Sequence, residues 1–211
     1  MTEERTGVSA IVLAAGAGSR FGGGKLLAGL GGRPLIELVL DNLRKAPVDE
    51  VIVVAGADAE RLHEVCEMYG VRTVDNEEWE LGQSTSVLAG LRACGAQTRA
   101  AVVLLGDQPL VGAGAVDRLV AAFAEGARAA VATYGGKRRN PVLFSREVWP
   151  LLTAELAGDE GARSVLRRHP ELVVEVPCEG VGDPTDVDTR EDLRRLEEMR
   201  GAVGDYKMAG G

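Results

Sequence analysis

Between Leu13 and Lys25 the chain reads LAAGAGSRFGGGK, directly after a short apolar run. Glycines at positions 16, 18, 22, 23 and 24 let a backbone curl tightly and turn N–H groups toward an anion with no side chain in the way. Arg20 and Lys25 add two cations to such a nest. Directed donors together with counter-charge suit a triphosphate. Spacing excludes two familiar phosphate motifs. The residue five before Gly24 is Ser19 and Lys25 is followed by Leu26, so there is no Walker A loop. Three residues after Gly18 comes Phe21 rather than glycine, so the dinucleotide fingerprint is a weak match.

Other chemistry-bearing groups stand at comparable places. Gly106-Asp107-Gln108-Pro109 follows a second apolar run, and a carboxylate at a strand tip is well placed to hold a hard cation; a turn or cap aspartate before proline is the alternative. Asp186-Val187-Asp188-Thr189 offers two more carboxylates just before a helical stretch, where Asp and Thr are also common caps. Glu78 to Ser86 reads EWELGQSTS: Gly82 permits close backbone approach, Gln83, Ser84 and Ser86 offer hydrogen-bonding groups near a helix start at Thr85, and Trp79 is read as packing. The two histidines, His63 and His169, fall in a helix and at a helix end, so both are read as structural and no histidine base is expected.

These residues need a scaffold that brings loop ends together. Apolar runs at Ser9 to Leu13, Val51 to Ala55, Val71 to Val74, Ala101 to Leu105, Ala129 to Thr133 and Leu172 to Val176 read as strands buried on both faces. Between them, Leu35, Leu38, Val39 and Leu43 share a helical face, as do Leu62, Val65 and Cys66, then Val87, Leu88 and Leu91, then Val116, Leu119, Val120 and Phe123. The alternation predicts an α/β fold: a three-layer, Rossmann-like sandwich around a mostly parallel sheet, with ligands at the carboxyl ends of its strands. Gly135 to Asn140, glycine-rich and basic, predicts an inserted hairpin or flap over the sheet, followed by a short run Pro141 to Phe144. Ala162 to Arg168 reads as a short helix, and Thr189 with Asp192 as a capping box opening a last helix through Met199. One domain is expected over residues 1–200, with a frayed tail from Gly201 to Gly211.

The chain's 211 residues, 45% hydrophobic and 27% charged, have a globular balance, and the formal net charge of -8 disfavours a nucleic-acid surface. Cys66, Cys94 and Cys178 lack metal-site spacing. An acidic, polar start and the lack of a membrane-length apolar run lead to the expectation of a cytoplasmic protein without membrane or nucleic-acid partners.

The glycine loop resembles the signature of the MobA-like NTP transferase family, within the superfamily of molybdenum cofactor, sugar-phosphate and isoprenoid-pathway nucleotidyltransferases. Leu13, Ala14, Ala15, Gly16, Gly18, Arg20, Gly22 and Lys25 match it. The resemblance implies the nucleotide-diphospho-sugar transferase-like form of the fold. It implies nucleotide contacts from the loop through Lys25 and from Gly82, Ser84 and Asp107, and a catalytic set of Arg20, Lys25 and Asp107. It also implies Mg2+ held by Asp107 and Asp188, with Asp186 or a plain cap left open for the last segment. Asn140-Pro141-Val142-Leu143-Phe144 and Gly158 to Arg163 resemble runs of the molybdopterin cytidylyltransferase, MocA-like branch, where Asn140, Asp159 and Arg163 would face the acceptor; Asn140 stands where histidine is common, and Asp159 with Arg163 also fits a surface salt bridge.

The implied reaction moves a nucleoside monophosphate onto a small phosphorylated acceptor, with pyrophosphate leaving. LAAG leans toward CTP over GTP, molybdopterin or molybdenum cofactor is the implied acceptor, and a molybdoenzyme is an implied transient partner. One rival is a nicotinamide-dependent oxidoreductase, the activity described for a relative in that branch that reduces a pigment of nicotine breakdown. Another is a nucleotide-sensing or cofactor-carrying protein without catalysis.

Overall fold

The structure, a computed structural model, describes residues 6–208, with side chains through 199. The chain forms β1 (Val8–Ala14), a short ribbon of β2 (Gly29–Leu30) and β3 (Arg33–Pro34), α1 (Leu35–Leu43), β4 (Glu50–Ala55), α2 (Ala59–Met68), β5 (Arg72–Asp75), α3 (Gln83–Ala93) and β6 (Ala100–Leu105). It continues through α4 (Ala113–Ala124), β7 (Ala129–Tyr134), β8 (Lys137–Ser145), α5 (Trp149–Glu155), α6 (Ala162–Arg168), β9 (Val173–Pro177) and α7 (Arg190–Met208).

A 7-stranded sheet in the order β5-β4-β1-β6-β8-β7-β9 divides the molecule into layers. Only β8 runs antiparallel to its neighbours, β6 and β7. The expected mostly parallel α/β sandwich is therefore the observed one. Its two faces follow from period-2 alternation. Ala10, Val12 and Ala14 of β1 point toward a core shared with α1, α2 and α4. Ile11 and Leu13 point the other way, toward α3, α5 and α6. Burial on both sides is what made these strands read as unbroken apolar runs.

Three local expectations are corrected. The hairpin after Tyr134 is no flap over the sheet: its second strand, β8, is a nine-residue member of the main sheet, inserted between β6 and β7. Val142, Leu143 and Phe144 are fully buried there, which an overhanging flap would not achieve. Helix α3 starts at Gln83, two residues before the expected start near Thr85. The last helix continues past Met199 to Met208, so the tail expected to fray from Gly201 is helical through that point, and 209–211 lie outside the described residues. The predicted box supplies its nucleus: the Thr189 N–H and hydroxyl donate to Asp192 Oδ2 at 2.8 and 2.7 Å, and the Asp192 N–H donates back to Thr189 Oγ1 at 3.1 Å. Extending a nucleated helix costs far less than starting one.

Candidate active site

From β1 the chain builds outward through β4 and β5, then returns to lay β6 on the other edge of β1. Loops leaving the two strands part at such a reversal and open a crevice at their carboxyl ends. Leu13 pairs with Leu105, and the Gly106 N–H donates to the Leu13 carbonyl at 3.0 Å, so the glycine loop and Asp107 leave the sheet at one level.

A cleft of about 630 Å³ occupies this crevice. Leu13, Ala14, Ala15, Gly16, Gly18, Arg20 and Lys25 line it, and Gly82 and Asp107 close its sides. Within the loop, the N–H groups of Phe21, Gly22 and Gly23 donate to the Gly18 carbonyl at 2.9, 3.1 and 3.2 Å. The sequence reading turned all the loop's glycines toward an anion; Gly22 and Gly23 close the loop instead, and with Gly24 they hold φ of 93°, 88° and 62° that swing the chain back to Lys25. The arc left to face an anion is Gly16 to Arg20, whose backbone N–H groups find no acceptor among the described residues. Phe21 anchors the loop from below, packed with Leu30, Leu35, Val187 and Leu196 and capped by the Arg190 guanidinium 5.1 Å from its ring.

The charged groups meet at the mouth of this arc. Lys25 Nζ lies 2.5 Å from Asp107 Oδ2 and 3.3 Å from Asp188 Oδ1, while an Arg20 guanidinium nitrogen lies 3.0 Å from Asp188 Oδ2. Lys25 and Asp107 are mostly buried, whereas Arg20 is largely exposed and its pair adds little to stability. Asp107 Oδ1 is buried with no hydrogen-bond partner. Such an orphan is costly and calls for an explanation. A carboxylate with one oxygen neutralised by Lys25 and the other bare, facing a second carboxylate, fits a hard divalent cation. No three acidic, histidine or cysteine side chains among the described residues are placed to hold a metal ion together, so phosphate oxygens and water would have to complete the shell, as magnesium prefers. Of the two aspartates in the last segment, Asp188 is the one that meets Lys25 and Arg20. Asp186 is held above the usual carboxylate range by burial and then by the Asp107 charge, with the Gln108 amide opposing.

A second cleft of about 460 Å³ adjoins the first, sharing Leu13, Gln83, Leu105 and Asp159 with it. Asn140, Asp159 and Arg163 all line it. Asn140 reaches it through a bulge: Val131 pairs with Val142 but Ala132 pairs with Arg139, leaving Asn140 and Pro141 outside the ladder, where proline's missing N–H does no harm. Asp159 and Arg163 make no ion pair with each other. Arg163 makes no ion-pair contact with a carboxylate among the described residues, and its pKa is lowered by burial and then by the nearby Arg139 charge, with the Asp186 charge opposing.

Two assignments in the loop before α3 change. Ser84 is buried and does not line the cleft; Gln83 and Ser86 do, while the Ser84 N–H donates to the Gly158 carbonyl at 3.1 Å. Trp79, read as packing, forms part of the cleft wall. The missed signal is its position, a lone aromatic in the loop after a strand's carboxyl end, outside any periodic apolar face. Gly82 itself holds φ 114°, and a Cβ there would sit 2.2 Å from the Gly158 carbonyl carbon. Gly82→Ala is therefore expected to cost about 2 kcal/mol or more, from the strained φ and the backbone clash. At this chain length that lowers the melting temperature by roughly 4–8 °C, which a thermal melt reads directly.

Neither histidine lines the two clefts, and both pair with carboxylates. His63 Nε2 lies 2.7 Å from Asp75 Oδ1, and His169 Nε2 lies 2.7 Å from Glu155 Oε1. The hydrogen bond to Glu155 raises the His169 pKa above its ordinary 6.5. Its contribution is therefore fully present below pH 6.5 and is lost as the pH rises through the higher folded-state value. The protection factors of amides at the end of α6, exchange rates corrected for their intrinsic rise with pH, are expected to fall across that window in the parent protein and to be flat in His169→Gln.

Residues 10–173 match the MobA-like NTP transferase domain. Nicotine blue oxidoreductase from Paenarthrobacter nicotinovorans is 33% identical over 197 residues, which cover 90% of this chain and 96% of that one. Among solved structures, the homologue of Mycobacterium tuberculosis Rv0371c from Mycobacterium sp. strain JC1 superposes with a TM-score of 0.83 at 34% identity, covering 95% of this chain and 100% of that one. Rv0371C from M. tuberculosis H37Rv in complex with manganese superposes with a TM-score of 0.74 at 29% identity, covering 90% and 98%.

Proposed function

The chain belongs to the MobA-like NTP transferase family and is a nucleotidyltransferase; from that premise we propose that it transfers CMP from CTP to the phosphate of a small acceptor, of the molybdopterin or molybdenum cofactor class. The observation that carries this reading is the convergence, at the β1–β6 crevice, of unpartnered N–H groups from Gly16 to Arg20 with Lys25, Asp107 and Asp188. An acceptor phosphate oxygen attacks the α-phosphorus, the bond from that phosphorus to the β-phosphate oxygen breaks, and pyrophosphate departs. No proton need move, in keeping with a site without a histidine base.

The work left to the protein is positioning and charge neutralisation. The Gly16 to Arg20 arc holds the phosphates, and Lys25 and Arg20 exchange their carboxylate partners for phosphate oxygens. A divalent cation held by Asp107 and Asp188 would supply further neutralisation of the phosphates. Magnesium is the ion proposed, and the manganese complex of the mycobacterial neighbour favours testing manganese beside it. The second cleft, where Arg163 makes no ion-pair contact with a carboxylate among the described residues, suits an anionic acceptor. Preference for cytidine over guanosine rests on the LAAG form of residues 13–16.

The relative named nicotine blue oxidoreductase shares the transferase-family scaffold, so its name lends no weight to nicotinamide chemistry in this chain. The decisive experiment incubates purified protein with magnesium or manganese, each of the four triphosphates and molybdopterin, and follows pyrophosphate release. Release that needs CTP, metal and molybdopterin together is the expected result. Release with GTP alone corrects the base, and nicotinamide oxidation without any triphosphate overturns the reading.

A further inference from the structure

The segment leading into α7 lies alongside the loop that leaves β6. The Asp183 N–H donates to the Leu110 carbonyl and the Val187 N–H to the Asp107 carbonyl, both at 2.9 Å. Between these two backbone bonds sits the side chain of Gln108, only 3% exposed. Its amide nitrogen donates twice, to the Pro184 carbonyl at 2.9 Å and to Asp186 Oδ1 at 2.7 Å. Its amide oxygen, also buried, has no partner. The orientation is forced, because the flipped amide would set that oxygen against two acceptors. A buried side chain with both donors engaged and its acceptor unmet is not there for packing alone.

The reason for the clasp lies in the charges around it. The segment brings Asp186 and Asp188 toward Asp107, and like charges oppose that approach. Lys25 and Arg20 offset that repulsion by their ion pairs. In the reaction proposed above those two cations turn to phosphate oxygens. The two Gln108 donors do not depend on the nucleotide and stay in place.

We propose that Gln108 is a positioning residue for the divalent site: its amide clasps the 184–188 segment to β6 so that Asp188 stays opposite Asp107. The inference rests on the transferase reading and assigns Gln108 no contact with nucleotide or acceptor.

The test titrates manganese by electron paramagnetic resonance into protein saturated with the α,β-methylene analogue of CTP. Gln108→Leu is expected to weaken manganese binding by about 10-fold or more, the range seen when groups behind metal ligands are removed. At saturating manganese, turnover returns to within about threefold of the parent, a split that general misfolding would not give. In the Asp186→Asn background, where the carboxylate that accepts from the Gln108 amide is neutral, the same substitution costs clearly less, a coupling that distant, independent sites lack. Should Gln108→Leu not fold, Gln108→Met, unbranched and of similar length, carries the same measurement. Equal manganese affinity in parent and variant, or an equal loss in both backgrounds, overturns the inference alone. No nucleotide-dependent manganese uptake by the parent overturns it together with the transferase reading.

Discussion

Asp107→Ala is expected to lower turnover by about 10³-fold or more, the scale set by losing one preorganised electrostatic group at a transfer centre. Its stability is expected to stay within about 1 kcal/mol of the parent, or to rise. The asymmetry follows from the local geometry. The substitution removes the bare Oδ1 and relieves the charge pressing on Asp186, while Lys25 keeps Asp188 at 3.3 Å as a partner. Pyrophosphate release and a thermal melt on the same preparation give both numbers. Turnover near the parent value removes Asp107 from the machinery.

Lys25→Ala is expected to abolish turnover on a similar scale, about 10²–10³-fold or more, because a cation aimed at the phosphates is lost. Here the fold suffers too. Asp107 and Asp188 are left facing each other, beside Asp186, without the buried ammonium that lay 2.5 Å from one and 3.3 Å from the other. The cost is about 1–3 kcal/mol after discounting for the partial exposure of the site. A divalent cation can replace the missing charge, so magnesium should raise the melting temperature of this variant more than that of the parent. Two substitutions on either side of one ion pair are thus expected to shift stability differently, the alanine at position 25 costing more than that at 107. A larger loss for Asp107→Ala would show that the pair is held together for stability rather than poised for a ligand.

The central strands were legible because a parallel strand buried on both faces carries its own signature, a short run of Val, Ile, Leu and Ala stopped by glycine. The glycine loop was legible as a motif for a related reason, since glycines, Arg20 and Lys25 fall together within one short stretch of chain. What the sequence could not convey was direction. Glycine grants freedom without stating which N–H groups face outward, so the division between Gly16 to Arg20 and the loop-closing Gly22 and Gly23 emerges only in three dimensions. Ser84 and Ser86 stand about 200° apart around α3, so they cannot both face the cleft, and the polar first turn of the helix has no apolar period to show which one does. The hairpin was misplaced because Lys137, Arg138 and Arg139 give the first half of β8 a loop-like composition. Its place in the sheet depends on pairing with β6, far earlier in the chain, and no local pattern records that.

The bulge that frees Asn140 and the helix that carries Arg163 both belong to one stretch between residues 137 and 168. Of that stretch, the first cleft takes Asp159, and Gly158 backs Gly82. On the proposed reading the side chains that could meet an acceptor, Asn140 and Arg163, are therefore carried by elements anchored in the core through Val142, Leu143, Phe144 and Val165. Changes at those two positions alter the second cleft while the buried half of β8 keeps its register with β6.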